Sequence, residues 1–288
     1  MFQRQRQGST VCPSCGRLVG VRDERCFNCG MRNPALFGFG PALRRLGGDL
    51  GFANLLLAGC GVLYLVSLLM SPSAFSGRGG MFGLLAPSWW PALFVLGGSG
   101  AEPVYGYGRW WTVLSAGWLH GGLLHIGFNL LWVRDLAPAV ARLYGSGRLV
   151  LIYLVGGACG FLLTSTVALL APGLPYFLHG GVRTIGASAS LFGLFGALIC
   201  YGQRTGQSGM RQMVWGWIIA GVIFGVVFPG IDNWAHAGGF ATGWLVARIL
   251  DPLREEKPAH VLAGLAGLVA SLLAVVASVV TALPLLRG

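Results

Sequence analysis

The sequence predicts an all-α polytopic membrane protein, with a small cysteine-containing segment, a bundle of six membrane-spanning helices and a seventh transmembrane helix after the bundle. Its 288 residues are 55% hydrophobic and only 10% charged, with a mean hydropathy of +0.69. Soluble globular domains carry about 25% charged residues, so most of this chain cannot face water. Apolar stretches of roughly 20 residues, the length that crosses a bilayer, recur along the chain.

Seven apolar stretches are predicted to span the membrane, and a count of six is the alternative. The first, GFANLLLAGCGVLYLVSLLM, is the clearest, and the fifth depends mostly on VWGWIIAGVIFGVVF. Because the first span follows a cysteine-containing segment of about fifty residues, it is not expected to be a cleaved signal peptide. The predicted spans, in chain order, cover residues 51–70, 116–134, 149–171, 186–203, 213–228, 234–250 and 260–283.

The basic residues are predicted to follow membrane topology. The net charge is +11, and with a cytoplasmic N-terminus sixteen of the 20 Lys and Arg residues lie on the cytoplasmic side. This is the positive-inside pattern, and the lipid bilayer with its anionic headgroups is the partner it implies. We therefore expect a multi-pass protein of the bacterial cytoplasmic membrane. No nucleic acid is expected as a partner of the basic N-terminal residues Arg4, Arg6, Arg44 and Arg45.

Four cysteines near the N-terminus have the spacing of a zinc ribbon. The stretch CPSCGRLVGVRDERCFNCG holds Cys12, Cys15, Cys26 and Cys29 as two C-x2-C pairs. Two such knuckles place four thiolates tetrahedrally around one zinc ion, and the glycine after each pair lets backbone N–H groups approach the sulfurs. Two disulfides are the alternative, but disulfides are rare in the reducing cytoplasm, where the topology puts this segment.

The predicted zinc is structural, because four protein ligands leave no open coordination position. No cofactor is expected for catalysis. A cytoplasmic partner of the ribbon is possible, but the sequence does not identify one. The remaining cysteines, Cys60, Cys159 and Cys200, lie in separate spans and are interpreted as small packing residues.

The domain organisation follows from these segments. A Gly-, Pro- and Arg-rich stretch joins the ribbon to the membrane, and the segment between spans one and two is too apolar for a free loop. Its APSWWPALF and YGYGRWW stretches indicate a position in the outer interface, where Trp and Tyr favour the headgroup level. The predicted parts are a cytoplasmic zinc ribbon at 1–35, a linker at 36–50, a six-span domain at 51–250 with its interfacial loop at 71–112, and a loop with the seventh span at 251–288.

Polar residues within the predicted spans point to function, because such groups are expensive in a bilayer. Span two carries His125 and Asn129 on one helical face, span four begins with Ser188, and span six begins near His236. These three spans cross the membrane in the same direction, and each has its polar group in its first turns. The four side chains are therefore predicted to lie in one layer near the outer leaflet. His120 is predicted to point elsewhere, nearer the interface.

Small residues are predicted to bring spans four and six together. Gly193 and Ala197 are four residues apart on span four, as are Gly239 and Gly243 on span six. Small-xxx-small faces let membrane helices approach nearly backbone to backbone. Ser188 and His236, near the outer ends of these spans, would then come within hydrogen-bond reach.

That pairing predicts nucleophilic catalysis. A serine hydroxyl is a poor nucleophile until an adjacent base takes its proton, which His236 can do. Phe192 lies on the same face as Ser188 and is expected to stack on the imidazole. Gly186 is interpreted as leaving room for a substrate carbonyl, and Asp232 as a helix N-cap rather than a third catalytic group.

The tetrahedral intermediate of such a reaction needs hydrogen-bond donors for its oxyanion. The backbone N–H of Ser188, at the positive end of a helix dipole, is one predicted donor. His125 and the amide of Asn129 are the others.

The chain resembles the rhomboid family of intramembrane serine proteases over roughly residues 50–250. The stretches WWTVLSAGWLHGGLLHIGFN, GASASLFGLFG and GIDNWAHAGGFATG match, in order and spacing, the family signatures of spans two, four and six. The resemblance implies that Ser188 is the nucleophile, that His236 is the general base and that His125 and Asn129 line the oxyanion hole. It also implies a Ser–His dyad that cleaves transmembrane segments of other membrane proteins near the outer leaflet. The seventh span is then an addition to a six-helix core.

The sequence departs from the family pattern at two positions, and each departure predicts a local difference in structure. Ala189 stands where the family usually has glycine, and its methyl group is expected to crowd the site that substrate approaches. Trp111 is followed by Thr112 instead of arginine, and the nearest arginine is Arg109. The anchoring of the interfacial loop is therefore expected to differ.

Other functions compete with this interpretation. A catalytically silent family member that binds membrane helices, as an adaptor or quality-control factor, would have no reason to keep the four polar side chains together. A transporter with a histidine proton relay predicts carboxylates within the spans, where the sequence has none. An α/β-hydrolase is excluded, because its serine follows a strand in G-x-S-x-G, whereas GASAS opens a helix.

Overall fold

The computed structural model describes residues 4–13, 15–40, 49–75, 85–175, 178–228 and 230–284. The chain divides into two compact units, Met1–Gly51 and Phe52–Gly288. Parts of two predicted segments lie outside the described residues, namely 41–48 of the linker and 76–84 of the interfacial loop. Four of the arginines used in the topology argument also lie outside them: Arg44, Arg45, Arg78 and Arg287.

The first unit contains a two-stranded antiparallel sheet. Strand β1, Ser9–Val11, pairs with β2, Leu18–Gly20, in the register Ser9↔Gly20. A single 3₁₀ turn, Leu36–Gly38, follows among the described residues of this unit. The buried core of the unit is formed by Cys12, Val19 and Cys26. Among the residues of this unit that the structure describes, few apolar side chains are buried, so a cross-link between the cysteines would add much to its stability.

The second unit is helical, with seven long helices among the described residues. Each overlaps one predicted span. They are α1 (Phe52–Leu69), α2 (Leu123–Tyr144), α3 (Ser146–Leu170), α4 (Ser188–Arg204), α5 (Ser208–Val227), α6 (Asn233–Ile249) and α7 (Pro258–Ala282).

Helix α2 differs most from its predicted bounds of 116–134. It begins at Leu123, because Leu119 is extended and Gly121 and Gly122 interrupt the helical backbone before it. It then continues past Arg134 and Asp135 to Tyr144, with Pro138 inside the helix. Hydropathy alone did not distinguish the tightly folded apolar segment before α2 from the helix itself.

Four of these helices are long and apolar enough to cross a membrane by length and composition: α1, α3, α5 and α7. Helices α4 and α6 have 17 residues each. Helix α2 contains His125, Asn129, Arg134 and Asp135, which lower its hydropathy. The three helices that fall short are therefore those that carry the predicted polar site.

The segment between α1 and α2 is folded into short helical turns. It buries Phe94, Leu96 and Leu119, while Trp90 and Trp110 are exposed. The turns among its described residues are Pro72–Phe75, Trp89–Leu93, Phe94–Leu96, Glu102–Gly106, Thr112–Ser115 and Ala116–Trp118.

Helices α3, α4 and α6 form the centre of the second unit and touch through glycines. A Cβ added at Gly243 of α6 would overlap the backbone oxygen of Gly193 of α4, and one at Gly239 would overlap that of Ala189. On α3, a Cβ at Gly156 would lie 3.3 Å from the Cα of Gly193. The three backbones are thus in van der Waals contact, as small-xxx-small faces predict for α4 and α6.

The first prediction concerns this contact. Replacing Gly243 with leucine should separate α4 from α6, because the new side chain meets backbone atoms that cannot rotate away. We expect the free energy of unfolding to fall by about 3 kcal/mol, which is the upper end of the usual cost of overpacking a core. The thermal unfolding midpoint in mild detergent measures the effect.

Gly216→Leu on α5 is the matched control. Nothing in the described part of the chain lies within 4 Å of a Cβ at Gly216. This variant should unfold at the wild-type temperature or above it, since leucine favours helix over glycine by roughly 0.5–1 kcal/mol. Equal melting of the two variants would contradict the packing described here.

Candidate functional site

Ser188 is the first residue of α4 and is held by the loop that precedes it. Thr184 and Ser99 exchange two backbone hydrogen bonds of 2.8 and 3.0 Å, which join this loop to the segment between α1 and α2. Gly186 N–H donates to the carbonyl of Ala116 at 3.0 Å. An ion pair between Arg183 and Glu102 connects the same two segments at the surface. The hydroxyl of Ser188 therefore projects from a fixed helix start.

His236 lies in the first turn of α6 and faces Ser188. Its Nε2 atom is 2.9 Å from Ser188 Oγ, which is hydrogen-bond distance. The imidazole is only 6% exposed. Two residues 48 positions apart thus meet at the starts of two helices whose backbones touch.

Phe192 holds the imidazole ring from one side. The two rings are stacked with their centroids 4.1 Å apart and their planes 5° from parallel. Gly221 of α5 leaves space for the phenyl ring, because a Cβ there would lie 2.8 Å from Phe192 Cζ. Stacking against a buried ring restricts rotation of the imidazole.

Asp232 caps α6 and does not reach the imidazole. Its Oδ1 atom accepts hydrogen bonds from the N–H of Ala235 at 2.9 Å and from the hydroxyl of Thr164 at 2.7 Å. Within the described residues, His236 Nδ1 has no hydrogen-bond partner. The imidazole is oriented by packing, without a carboxylate on its second nitrogen.

His125 is oriented by a backbone group and lies against Gly186. The N–H of Gly121 donates to His125 Nδ1 at 3.2 Å, so the proton of the neutral ring is assigned to Nε2. A Cβ at Gly186, which has a φ of +119°, would lie 2.5 Å from that Nε2 atom. Gly186 was predicted to leave room for a substrate carbonyl. The His125 ring fills the space where a Cβ of residue 186 would stand.

Asn129 and His120 flank His125. The Asn129 amide donates to the carbonyl of His125 at 2.8 Å, and its side chain is buried. The His120 ring is fully buried, with its centroid 5.1 Å from that of His125. His120 was predicted to point elsewhere, nearer the interface. The predicted direction of the ring was wrong, because the turn through Gly121 and Gly122 folds it back onto His125.

The methyl group of Ala189 points into the core. It is fully buried in a cluster with Ala116, Phe161 and Ala235, and a Cβ on Gly160 of α3 would lie 3.2 Å from it. The expectation that this methyl crowds the substrate side is therefore not met. Its position one residue after Ser188 turns it away from the hydroxyl, toward α3.

Sequence analysis missed the contribution of α3. A Cβ at Gly160 would lie 2.5 Å from the backbone oxygen of Ala235, and one at Gly157 would overlap the hydroxyl of Ser190. The signal was present in GGACG, where Gly156 and Gly160 have the same four-residue spacing as the small residues of spans four and six. Gly121, which orients His125 through its N–H, carried no such signal.

The four N-terminal cysteines form a cluster that could hold a metal ion. Their sulfur atoms all lie within 4.8 Å of one another, and the Cys12–Cys29 and Cys15–Cys26 pairs are 3.7 and 3.5 Å apart. Tetrahedral zinc with bonds of about 2.3 Å requires sulfurs about 3.8 Å apart, so the cluster is consistent with a zinc ribbon. The described cysteines form no disulfide.

The two knuckles are closed by equivalent glycines. Gly16 and Gly30 have φ values of +72° and +73°, and their N–H groups donate to the carbonyls of Cys12 and Cys26. A hydrogen bond from the backbone of Arg17 lowers the pKa of the Cys15 thiol to about 6, which favours the thiolate that metals bind. The glycines were predicted to let backbone N–H groups approach sulfur, and the bond from the Arg17 backbone to Cys15, directly after Gly16, is such a contact. The N–H groups of the two glycines themselves close each knuckle on a carbonyl.

Comparison with known proteins identifies relatives of the second unit. A family model described as "Rhomboid domain" matches residues 107–253, which is just over half of the chain. The chain is 33% identical over 171 residues to RHOMBOID-like protein 4 of Arabidopsis thaliana, covering 58% of this chain and 40% of that protein. It is 33% identical over 146 residues to Rhomboid protease GluP of Bacillus subtilis, covering 50% and 26%.

A further relative is Rhomboid protease GlpG of Klebsiella pneumoniae. The identity is 34% over 155 residues, covering 52% of this chain and 51% of the relative. The chain thus spans about half or less of the length of the curated relatives described here. The matched region contains the long helices α2 to α6.

Proposed function

This chain belongs to the rhomboid family, and we propose that it is an intramembrane serine endopeptidase that cleaves transmembrane segments of other membrane proteins. The observation that carries the proposal is the distance of 2.9 Å between Ser188 Oγ and His236 Nε2. Relatives named rhomboid proteases support the same reaction class. The substrates proposed are single transmembrane segments entering near the outer leaflet.

In the proposed reaction Ser188 is the nucleophile and His236 the general base. The His236 Nε2 lone pair accepts the hydroxyl proton as Oγ attacks the scissile carbonyl, and the imidazolium then protonates the leaving amine. Water hydrolyses the resulting acyl-enzyme with the same histidine as base. Phe192 supports this role, because a stacked imidazole keeps Nε2 aimed at the hydroxyl through both steps.

The oxyanion of the tetrahedral intermediate is proposed to bind beside His125. Ser188 N–H belongs to the first turn of α4, whose N–H groups have no partner four residues earlier and stand at the positive end of the helix dipole. The Nε2–H of His125 is a second donor, because Nδ1 is occupied by Gly121 N–H. Asn129 has a second amide N–H besides the one bonded to His125 O.

We propose that all seven long helices cross the membrane, with the N-terminus in the cytoplasm. The distribution of Lys and Arg supports this orientation. It puts the starts of α2, α4 and α6 near the outer leaflet, and the cysteine cluster in a reducing compartment of a bacterial cell. The short helix α4 is buried along most of its length and contacts α3 and α5, which are more apolar.

The N-terminal cluster is proposed to bind one structural zinc ion through Cys12, Cys15, Cys26 and Cys29. The support is the four-sulfur geometry together with a unit that has little other core. When bound, zinc cross-links the two knuckles and stabilises the fold. A ribbon of this kind would present a rigid cytoplasmic surface for a partner.

The second prediction tests the dyad. Ser188→Ala and His236→Ala should each lower cleavage of a single-span reporter by roughly 10³-fold or more, because each removes one member of a unit that acts together. Product formation by purified protein in proteoliposomes measures the effect. Ser165→Ala is the control, since this buried hydroxyl bonds back to the Phe161 carbonyl of its own helix. Retained cleavage in either dyad variant would refute the proposal, and an inactive wild type would favour a silent, helix-binding member.

The third prediction concerns Gly186. Gly186→Ala should lower kcat by about 10²-fold, the cost of losing one oxyanion donor, because the methyl group displaces His125 Nε2. Gly206→Ala is the matched control, with a φ of +71° and nothing described within 4 Å of its Cβ. It also places an alanine at a positive φ, but without the contact. Equal loss of activity in both variants would assign the effect to strain.

The fourth prediction concerns the metal. Purified full-length chain should contain about one zinc per molecule by elemental analysis, because the cluster has one complete set of four ligands. Cys26→Ser should remove most of the zinc, and Cys159→Ser, which changes a cysteine on α3, should retain it. A metal-free chain with disulfides between the knuckle cysteines would contradict the proposal.

A further inference from the structure

Helix α7 presents two buried serines to the segment between α1 and α2. Ser271 and Ser278 are seven residues apart, hence on one helical face, and both side chains are fully buried. Small residues accompany them on that face, with Gly264, Ala274 and Ala282 also buried. The rest of α7 exposes large apolar side chains such as Leu272 and Val276. The hydroxyls of these two serines are thus turned inward.

Ser271 makes two hydrogen bonds to this segment. Its Oγ atom accepts from the indole N–H of Trp118 at 2.6 Å and donates to the carbonyl of Leu114 at 2.7 Å. One hydroxyl therefore joins two points of the segment to the same helix. Neither bond is within α7, so the serine contributes to packing between elements and not to its own helix.

Ser278, seven residues after Ser271, accepts hydrogen bonds from two further side chains of the segment. Arg109 Nη2 donates to the Ser278 carbonyl at 2.7 Å, and the Trp111 indole donates to its hydroxyl at 3.1 Å. The Arg109 guanidinium is 2% exposed, lies 4.3 Å from the centre of the Phe94 ring and also donates to the Phe94 carbonyl at 2.9 Å. Arg109 therefore anchors the segment to α7, in place of an arginine directly after Trp111.

The same segment supports both sides of the proposed oxyanion site. Ala116 O accepts the N–H of Gly186, two residues before Ser188, at 3.0 Å. Gly121 N–H orients His125 at 3.2 Å. Leu114 and Trp118, the partners of Ser271, lie on either side of Ala116 in the chain. A displacement of this stretch would move Gly186 and His125 together.

The opposite end of α7 is also fixed. Arg148 of α3 donates to the carbonyls of Arg254 and Glu255 at 2.7 and 2.6 Å, and its Nε donates to His260 Nδ1 at 3.1 Å. A Cβ at Gly147 would overlap the backbone of Val261. The register of α7 against α3 is set at this end, so that the two serines meet the segment at defined heights.

We infer that α7 is a positioning element of the catalytic unit, and that Ser271 and Ser278 are positioning residues that hold residues 109–121 so that Gly186 and His125 stay in place. The inference rests on the proposed function. It predicts an effect on the chemical step, since Gly186 and His125 lie at the proposed oxyanion site.

The experiment measures kcat and KM for Ser271→Ala and Ser278→Ala in proteoliposomes. We expect kcat to fall about tenfold, equivalent to about 1.4 kcal/mol, with KM within about twofold of wild type. Ser165→Ala is the matched control, because the buried hydroxyl of this α3 serine bonds back to the Phe161 carbonyl of its own helix. This variant should retain the wild-type kcat and KM.

A double-mutant cycle separates the proposed contact from general loosening. Trp118→Phe removes the indole donor, and combining it with Ser271→Ala should lower kcat no further than the larger single effect. Trp110→Phe, at an exposed indole, is its control. Wild-type kcat in Ser271→Ala, Ser278→Ala and Trp118→Phe, or additive losses in the cycle, would overturn the inference.

Hydrogen exchange provides a readout that does not need activity. Ser271→Ala should raise amide exchange in residues 109–121 and at Gly186, while exchange in the N-terminal unit stays unchanged. If Ser188→Ala cleaves like wild type, the proposed function fails, and the exchange result still tests the positioning by α7. If the dyad variants are inactive but exchange in this segment does not change, the inference fails alone.

Discussion

The contact between the backbones of α3, α4 and α6 is the constraint on which the rest of the second unit depends. Glycines on the facing sides let main-chain atoms touch, and this brings the first turns of α4 and α6 side by side. A serine and a histidine on different helices can then hydrogen-bond directly at 2.9 Å. A larger side chain at Gly239 or Gly243 would occupy the space that the opposing backbone needs.

The imidazole of His236 is oriented by packing, where a catalytic triad would orient it with a carboxylate. A triad acid holds the imidazole in one orientation and tautomer. Here the Phe192 ring covers one face of the imidazole, and Asp232 is committed to capping α6 and to Thr164. His125 is likewise held without a charged partner, by a hydrogen bond from the backbone N–H of Gly121. The candidate site therefore depends on shape and backbone geometry more than on charge.

Much of this arrangement could be predicted, because its determinants are local in the sequence. The N-cap at Asp232, the face shared by Ser188 and Phe192 and the small faces of α4 and α6 all follow from helical spacing. The start of α2 could not be predicted, since hydropathy does not separate a buried loop from a helix. The neighbours of Gly186 and the loop contacts of α7 join segments distant in the chain. Two serines in an apolar run are a weak signal for such contacts.

The glycine faces also determine how the pair of helices responds to thermal motion. Glycine has no χ angles, so the interface between α4 and α6 has few rotamers through which to absorb a disturbance. Ordering this surface costs no side-chain entropy, although the backbone gives up more freedom at each glycine. Changes in the spacing between the backbones at the starts of α4 and α6 must then come from rigid-body movement of whole helices. Such movements are slower than side-chain rotation, so these two backbones should stay aligned on the nanosecond scale and separate only in rarer, collective events.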